Sequence, residues 1–176
     1  MNATNQKLEV NKMPNKSTAL EYLAEQYARK YHDGQYRKKD NRSYIVHPES
    51  VVKYLKLFGY ADEKTICIGW LHDTLEDTSL QYETIDRIFG RDVADGVYVL
   101  TRNIDSHAYK ERLGNANKNV QMVKLCDTLD IIQTLECLSL KGIKRKIVDC
   151  MAFYIPLAKE ICPSMVPHFE EYILEN

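Results

Sequence analysis

Residues 68–80 read IGWLHDTLEDTSL, and this stretch decides how the chain folds. Four ionisable side chains, His72, Asp73, Glu76 and Asp77, fall within six positions, with Asp62 and Glu63 a little upstream. Around them stand Ile68, Trp70, Leu71, Leu75 and Leu80, residue types that seek a core. At roughly 100° per residue, Ile68, Leu71 and Leu75 share one stripe of a helix, and the four polar groups fill an adjoining arc about 140° wide. A solvated charged face usually mixes in Lys or Arg for i, i+4 pairing; this one does not. One imidazole and three carboxylates in a poorly solvated cleft repel one another when ionised. A divalent cation removes that repulsion. His72 and Asp73 are therefore candidate ligands, and Glu76 and Asp77, one turn on, are left for other chemistry.

Two further ligands have to come from elsewhere in the chain. His47, which with Pro48 opens the preceding helical segment, is one candidate. Asp127 is the other, set in the apolar run MVKLCDTL (122–129), where Val123, Leu125 and Leu129 want burial. Plainer readings exist for both: His47 as an ordinary helix N-terminal residue, and Asp127 as a core carboxylate paired with Lys124 three residues earlier. His32 reads as a structural imidazole at a helix end, and His107 and His168 read as surface residues.

The rest of the chain is helical in pattern. STALEYLAEQYARKYH (17–32) has helical spacing at Leu20, Leu23, Ala24 and Tyr27, with Thr18 and Glu21 placed as a capping box. A polar, basic loop follows at 33–44, then a helix with Val51, Val52, Leu55 and Leu57 as its apolar positions. Asp62 is a good N-cap for a third helix running to about Glu76. Shorter helical segments follow at 84–89, ended by Gly90, and at 93–100 and 109–113. A long one at 117–138 is periodic at Val120, Val123, Leu125, Leu129, Ile132 and Leu135. Residues 143–161 predict a helix bent at Pro156, which lacks an amide donor, and Pro163 starts the last one. Strand-like alternation and hairpin turn signals are scarce, so the fold class is all-α.

Composition bounds the partners. Lys plus Arg (24) nearly balance Asp plus Glu (25), so no global field draws in nucleic acid or an anionic membrane. No apolar run approaches the ~18 residues of a membrane span, and MNATNQKLEV lacks a signal-peptide core. The five cysteines have no C-x-x-C spacing and read as reduced thiols, which fits a cytoplasmic protein.

At this point the motifs resemble a known family. The order His47, His72-Asp73, Asp127 is the H…HD…D layout of the HD phosphohydrolases. HDGQYRKKDNRSYIVHP (32–48) is similar to the H-x-G-Q-x-R-K…Y-I-x-H-P segment of RelA/SpoT-type alarmone hydrolase domains, and GWLHDTLEDT (69–78) to their L-H-D-x-x-E-D-T motif. IFGRDVADGVYVLT (88–101) and VKLCDTLD (123–130) resemble two further stretches of the same domains. The resemblance covers about residues 18–138 and implies a small stand-alone alarmone hydrolase, like the metazoan SpoT homologues. It implies one HD domain over 17–176, of roughly eight to ten helices, after a flexible segment at 1–16.

The resemblance further implies removal of the 3′-pyrophosphate from guanosine (p)ppGpp-type nucleotides with Mn²⁺ as the metal. By position the metal ligands would be His47, His72, Asp73 and Asp127, the catalytic acidic pair Glu76 and Asp77, and the nucleotide-lining basic pair Arg37 and Lys38. The residue types fit independently: two imidazoles and two carboxylates suit Mn²⁺, Fe²⁺ or Zn²⁺. Arg102, Lys110, Arg112 and Lys118 are candidates for the distal phosphates. The sequence departs from the family at Thr128 and Ile131, where an Arg and a nucleotide-facing Asn are usual. That leaves guanine against adenine open, with Asp130 as an alternative hydrogen-bonding group. Another HD phosphohydrolase (a ppApp hydrolase, NADPH phosphatase, nucleotidase or RNA-end phosphohydrolase) and an antitoxin-like partner of an alarmone synthetase are the competing readings. A homo-oligomer and a cognate toxin partner are left open.

Overall fold

The computed structural model describes residues 18–37, 41–133 and 139–174. The expected loose segment at 1–16, Lys38, Leu135 and Cys137 lie outside the described residues. Among the described residues, eleven α-helices follow in order: α1 (Ala19–Tyr31), α2 (Val46–Leu57), α3 (Glu63–Leu71), α4 (Thr74–Asp77), α5 (Tyr82–Phe89), α6 (Arg91–Leu100), α7 (Ser106–Gly114), α8 (Lys118–Ile132), α9 (Leu140–Asp149), α10 (Ile155–Ile161) and α11 (Val166–Leu174). Among the described residues the β structure is a lone antiparallel bridge, Tyr36 to Ser43, across the loop between α1 and α2. The fold is all-α, as the periodicity predicts, and no helix among the described residues is long and apolar enough to cross a membrane.

Side-chain caps set several helix starts. Thr18, Asp62 and Asn117 accept the backbone amides of Glu21, Thr65 and Val120, each satisfying a donor that the first turn leaves unpaired. Gly90 ends α5 with φ 89°, the left-handed region where Gly carries no Cβ penalty, and α6 begins on the next residue.

Helix α3 lies at the centre, packed by α1, α2, α6 and α8, and α8 in turn meets α2, α6, α7, α10 and α11. Ile66, Cys67, Leu71, Met122, Val123, Leu125 and Leu129 are fully or almost fully buried where these helices meet. Gly69 allows α3 to approach α2 closely, because a Cβ there would stand 2.7 Å from Leu55 Cδ1 and 3.2 Å from Val52 Cγ2.

Three sequence expectations need correction. Leu57 is not a core position; it is largely exposed at the end of α2. The bend near Pro156 takes the form of a π-helical turn over Cys150–Tyr154, and the proline then sits in the first turn of α10, where its missing amide is harmless. The third helix does not run through to Glu76. It stops at Leu71, and α4 starts three residues later. Two side chains take the carbonyls that a continuing helix would use: His72 Nδ1 bonds Gly69 O at 2.9 Å, and Thr74 Oγ1 bonds Leu71 O at 2.7 Å.

Candidate functional site

The break after Leu71 places His72 and Asp73 on a turn instead of a helix face. His47 enters from the first turn of α2, and Asp127 from the middle of α8. Because α2, α3 and α8 pack on one another, these four side chains meet in the interior. His47 Nε2 lies 3.2 Å from His72 Nε2, 3.2 Å from Asp127 Oδ1 and 3.4 Å from Asp73 Oδ2. His72 Nε2 is 3.0 Å from Asp73 Oδ2. His47, His72 and Asp73 each offer a ligand atom within 4.8 Å of the others, and Asp127 Oδ1 turns to the same side, 4.0 Å from His72 Nε2.

The outer nitrogens of both rings are already committed. Gly69 O can only accept, so His72 Nδ1 is the protonated nitrogen there. His47 Nδ1 likewise faces a carboxylate, Asp130 Oδ2, at 2.6 Å. Neutral rings of that tautomer present two Nε2 lone pairs to each other and to two carboxylates. A set made only of acceptors calls for a positive charge in its midst, and this donor set of imidazole nitrogen and carboxylate oxygen suits a divalent cation. The same crowding appears in the titration tendencies. Burial opposes charging of His47 and His72, yet Asp127, Asp130 and Asp73 raise His47, and Asp73 and Asp127 raise His72. Burial opposes ionisation of Asp73 and Asp127 as well. The imidazoles hold Asp73 well below the usual range, and Lys124 followed by His47 does so for Asp127.

Around this centre, Tyr44 donates to Asp73 Oδ2 at 2.5 Å. His32, buried and stacked against Tyr44, meets Gln35 Oε1 through Nδ1 at 2.7 Å, and Gln35 Nε2 donates to the backbone carbonyl of Asp77 at 2.7 Å. Through Gln35, His32 Nδ1 ties α1 to α4, while its buried Nε2 has no hydrogen-bond partner among the described residues. His107 and His168 are exposed, as expected.

Glu76 and Asp77 stand one turn beyond the metal-type cluster with exposed side chains. Glu76 Oε2 accepts the Arg102 amide at 2.8 Å. Partial burial and the charges of Asp73 and Glu76 raise the Asp77 carboxyl. Arg37 does not open toward solvent; its Nη2 bonds Asp130 Oδ2 at 3.0 Å.

Beyond Asp127 lies a cavity of about 450 Å³ lined by Arg102, Lys110, Arg145, Lys146, Tyr109 and Tyr154, among others, with Ile131 on its wall. Of the four cations suggested for distal phosphates, the structure brings Arg102 and Lys110 here. Arg112 instead bonds Asn103 and the Thr101 carbonyl, and Lys118 lines a different cavity between α3, α6 and α8. Lys146 is pulled down to about 8, chiefly by burial and also by nearby Lys124 and Arg102, with Asp127 pulling the other way. Arg145 and Lys146 carry no role in the sequence reading, and Asp130 enters it as an alternative hydrogen-bonding group for the nucleotide, not as a partner of His47. Asp130 was detectable, since it lies three residues after Asp127 in the same apolar run. Arg145 and Lys146 were not, because only the packing of α9 brings them to the site.

The HD-domain family profile matches residues 24–161. The chain belongs to the HD-domain family. Over 148 residues it is 35% identical to a guanosine-3′,5′-bis(diphosphate) 3′-pyrophosphohydrolase of Aquifex aeolicus, a match covering 78% of this chain and 21% of that protein. A protein of the same description from Borreliella burgdorferi is 30% identical over 152 residues, covering 80% of this chain and 22% of its own. The chain therefore spans about a fifth of the length of these curated relatives. Among solved structures, one described as a metazoan ortholog of SpoT that hydrolyzes ppGpp superposes with a TM-score of 0.79, covering 90% of this chain and 96% of that one at 22% identity. At that identity the likeness is one of fold.

Proposed function

We propose that this protein is a divalent-metal-dependent hydrolase that removes the 3′-pyrophosphate from guanosine (p)ppGpp-type nucleotides. The observation that carries the reading is the convergence of His47, His72, Asp73 and Asp127 beside a cavity lined by Arg102, Lys110, Arg145 and Lys146. The names of the curated relatives and the motifs at 32–48 and 69–78 point to the same substrate.

His47, His72, Asp73 and Asp127 would hold the cation, a nitrogen and oxygen set that suits Mn²⁺, Fe²⁺ or Zn²⁺, and Mn²⁺ is the one implied by the resemblance to alarmone hydrolases. Such a cation lowers the pKa of water and polarises a phosphoryl oxygen. The chain's own residues do the rest. Water oxygen bonds to the phosphorus next to the ribose 3′ oxygen, the bond from that phosphorus to the ribose oxygen breaks, and pyrophosphate departs while the ribose oxygen takes up the proton released by the water. Glu76 or Asp77 orients the water and accepts its proton, and the raised Asp77 carboxyl suits that exchange. Arg102, Arg145 and Lys146 receive the phosphates, the guanidiniums as planar forks and the ammonium as a point charge. Ile131 on the cavity wall offers no side-chain hydrogen bond with which to read a base, so adenine nucleotides belong beside guanine ones in any assay.

Purified protein with Mn²⁺ is expected to release pyrophosphate from ppGpp, or from ppApp if the base is not read. Glu76→Gln keeps an acceptor for the Arg102 amide and should retain Mn²⁺ while losing about 10²–10⁴ in kcat. No pyrophosphate from either nucleotide would sink the proposal.

A further inference from the structure

Asp130 stands on the same face of α8 as Asp127, one turn deeper, and is buried. Its Oδ2 alone receives two donors: His47 Nδ1 at 2.6 Å and Arg37 Nη2 at 3.0 Å. The opposite nitrogen of the same imidazole, Nε2, is the one that faces His72, Asp127 and Asp73. Arg37 is itself fixed, since its backbone amide bonds Arg42 O at 2.8 Å and its carbonyl accepts from Asn41 at 3.1 Å. An unbroken run of contacts thus leads from the loop between α1 and α2, through one carboxylate oxygen, to an imidazole of the metal-type cluster.

We propose that Asp130 is a positioning residue for the metal centre. It holds His47 in the Nδ1-protonated tautomer with the Nε2 lone pair aimed at the cation, and Arg37 holds Asp130 in place. This rests on the cluster being a divalent metal site. A carboxylate that accepts from the far nitrogen of a ligating histidine fixes ring orientation and raises ligand basicity, and losing such a partner typically weakens metal binding by about 10–100-fold. An ion pair serving only to anchor the loop would need Arg37 and Asp130 but not the bond to His47. The same geometry gives Asp130 a job away from the substrate. Its Oδ2 is committed inward, to His47 and Arg37.

The test uses the full chain, with ¹⁵N-labelled histidine and Mn²⁺ as the probe. Long-range ¹⁵N–¹H spectra of the EDTA-treated protein report the His47 tautomer, and calorimetric titration gives the Mn²⁺ Kd. Recorded at a pH alkaline enough for the ring to be neutral, wild type should show the Nδ1–H form. Asp130→Ala should mix the tautomers and weaken Mn²⁺ binding about 100-fold. Asp130→Asn preserves volume and a carbonyl acceptor, so it should keep the tautomer and lose about tenfold. If Asp130→Asn binds Mn²⁺ as wild type does, or if Asp130→Ala leaves the tautomer unmixed, the assignment is overturned. Should the alanine variant fail to fold, the asparagine variant decides alone. A wild type that binds no divalent cation would overturn the metal reading instead, while the tautomer comparison still decides whether Asp130 governs His47.

Discussion

On α8, Lys124 Nζ donates to Asp127 Oδ2 at 2.5 Å while Asp127 Oδ1 faces His47 Nε2 at 3.2 Å. The two readings that the sequence sets against each other, core ion pair and metal-type ligand, describe two oxygens of the same carboxylate. Both partners are buried, with side-chain exposures of 6% and 4%. Lys124 is therefore the fixed cation that keeps Asp127 ionised where burial alone would protonate it. A carboxylate held this way faces the imidazoles as an anion.

Lys124→Met tests that division of labour. Removing one partner of a buried pair leaves an uncompensated charge, at a cost of about 3–5 kcal/mol. The loss should be largest in EDTA and smaller with Mn²⁺, because a cation among His47, His72 and Asp127 supplies part of the missing charge. The pH dependence has a definite sign. The depressed Asp127 pKa contributes stability that is full above the unfolded value near 3.9 and lost as pH falls toward the folded one. Acid should thus erode wild type below about pH 4 and erode the variant less. Urea denaturation over pH 3–7, with and without Mn²⁺, measures both effects, and equal losses in EDTA and Mn²⁺ would count against the argument.

Gly69→Ala probes the spacing between α2 and α3. The added Cβ would meet Leu55 Cδ1 at 2.7 Å, and Leu55 is fully buried with little room to yield. Overpacking of this kind costs about 1–3 kcal/mol. Helix α2 carries His47 and the turn directly after α3 carries His72, whose Nε2 atoms lie 3.2 Å apart, so pushing the helices apart should also weaken Mn²⁺ binding. Gly114→Ala, where a Cβ meets nothing within 4 Å, should leave both quantities near wild type. Thermal melts and Mn²⁺ titrations of the two variants make the comparison. Wild-type behaviour from Gly69→Ala would show that the spacing tolerates a methyl.

What the sequence makes legible follows from the range of the forces involved. Thr18 and Asp62 cap helices through bonds three residues long, so local pattern reveals them. His47, His72, Asp73 and Asp127 stand out because charged groups in apolar runs need a reason. The break after Leu71 was hidden, since it depends on His72 and Thr74 choosing backbone carbonyls that a helix would otherwise keep. Arg37 was legible as a residue of the site but not as the partner of Asp130, because that pair joins positions far apart in sequence. Lys146 belongs to the same class: only the packing of α9 and the turn after it brings its ammonium near Asp127.

That position makes Lys146 the group through which pH should govern phosphate binding. Burial, Lys124 and Arg102 bring its pKa down to about 8. It is therefore an ammonium below pH 8 and a neutral amine above it, whereas the Arg102 guanidinium in the same cavity, raised above its ordinary value, keeps its charge. At pH 9 only about a tenth of Lys146 remains protonated. Inorganic pyrophosphate, the proposed product, should bind wild type and Lys146→Arg comparably at pH 7, while at pH 9 wild type should approach the weaker binding of Lys146→Met. Because pyrophosphate also gains charge over this interval, the readout is the ratio between variants at each pH and not the raw slope. Competition by pyrophosphate at pH 7, 8 and 9 gives that ratio. If wild type and Lys146→Arg keep the same ratio across the series, Lys146 does not carry the charge that meets the phosphates.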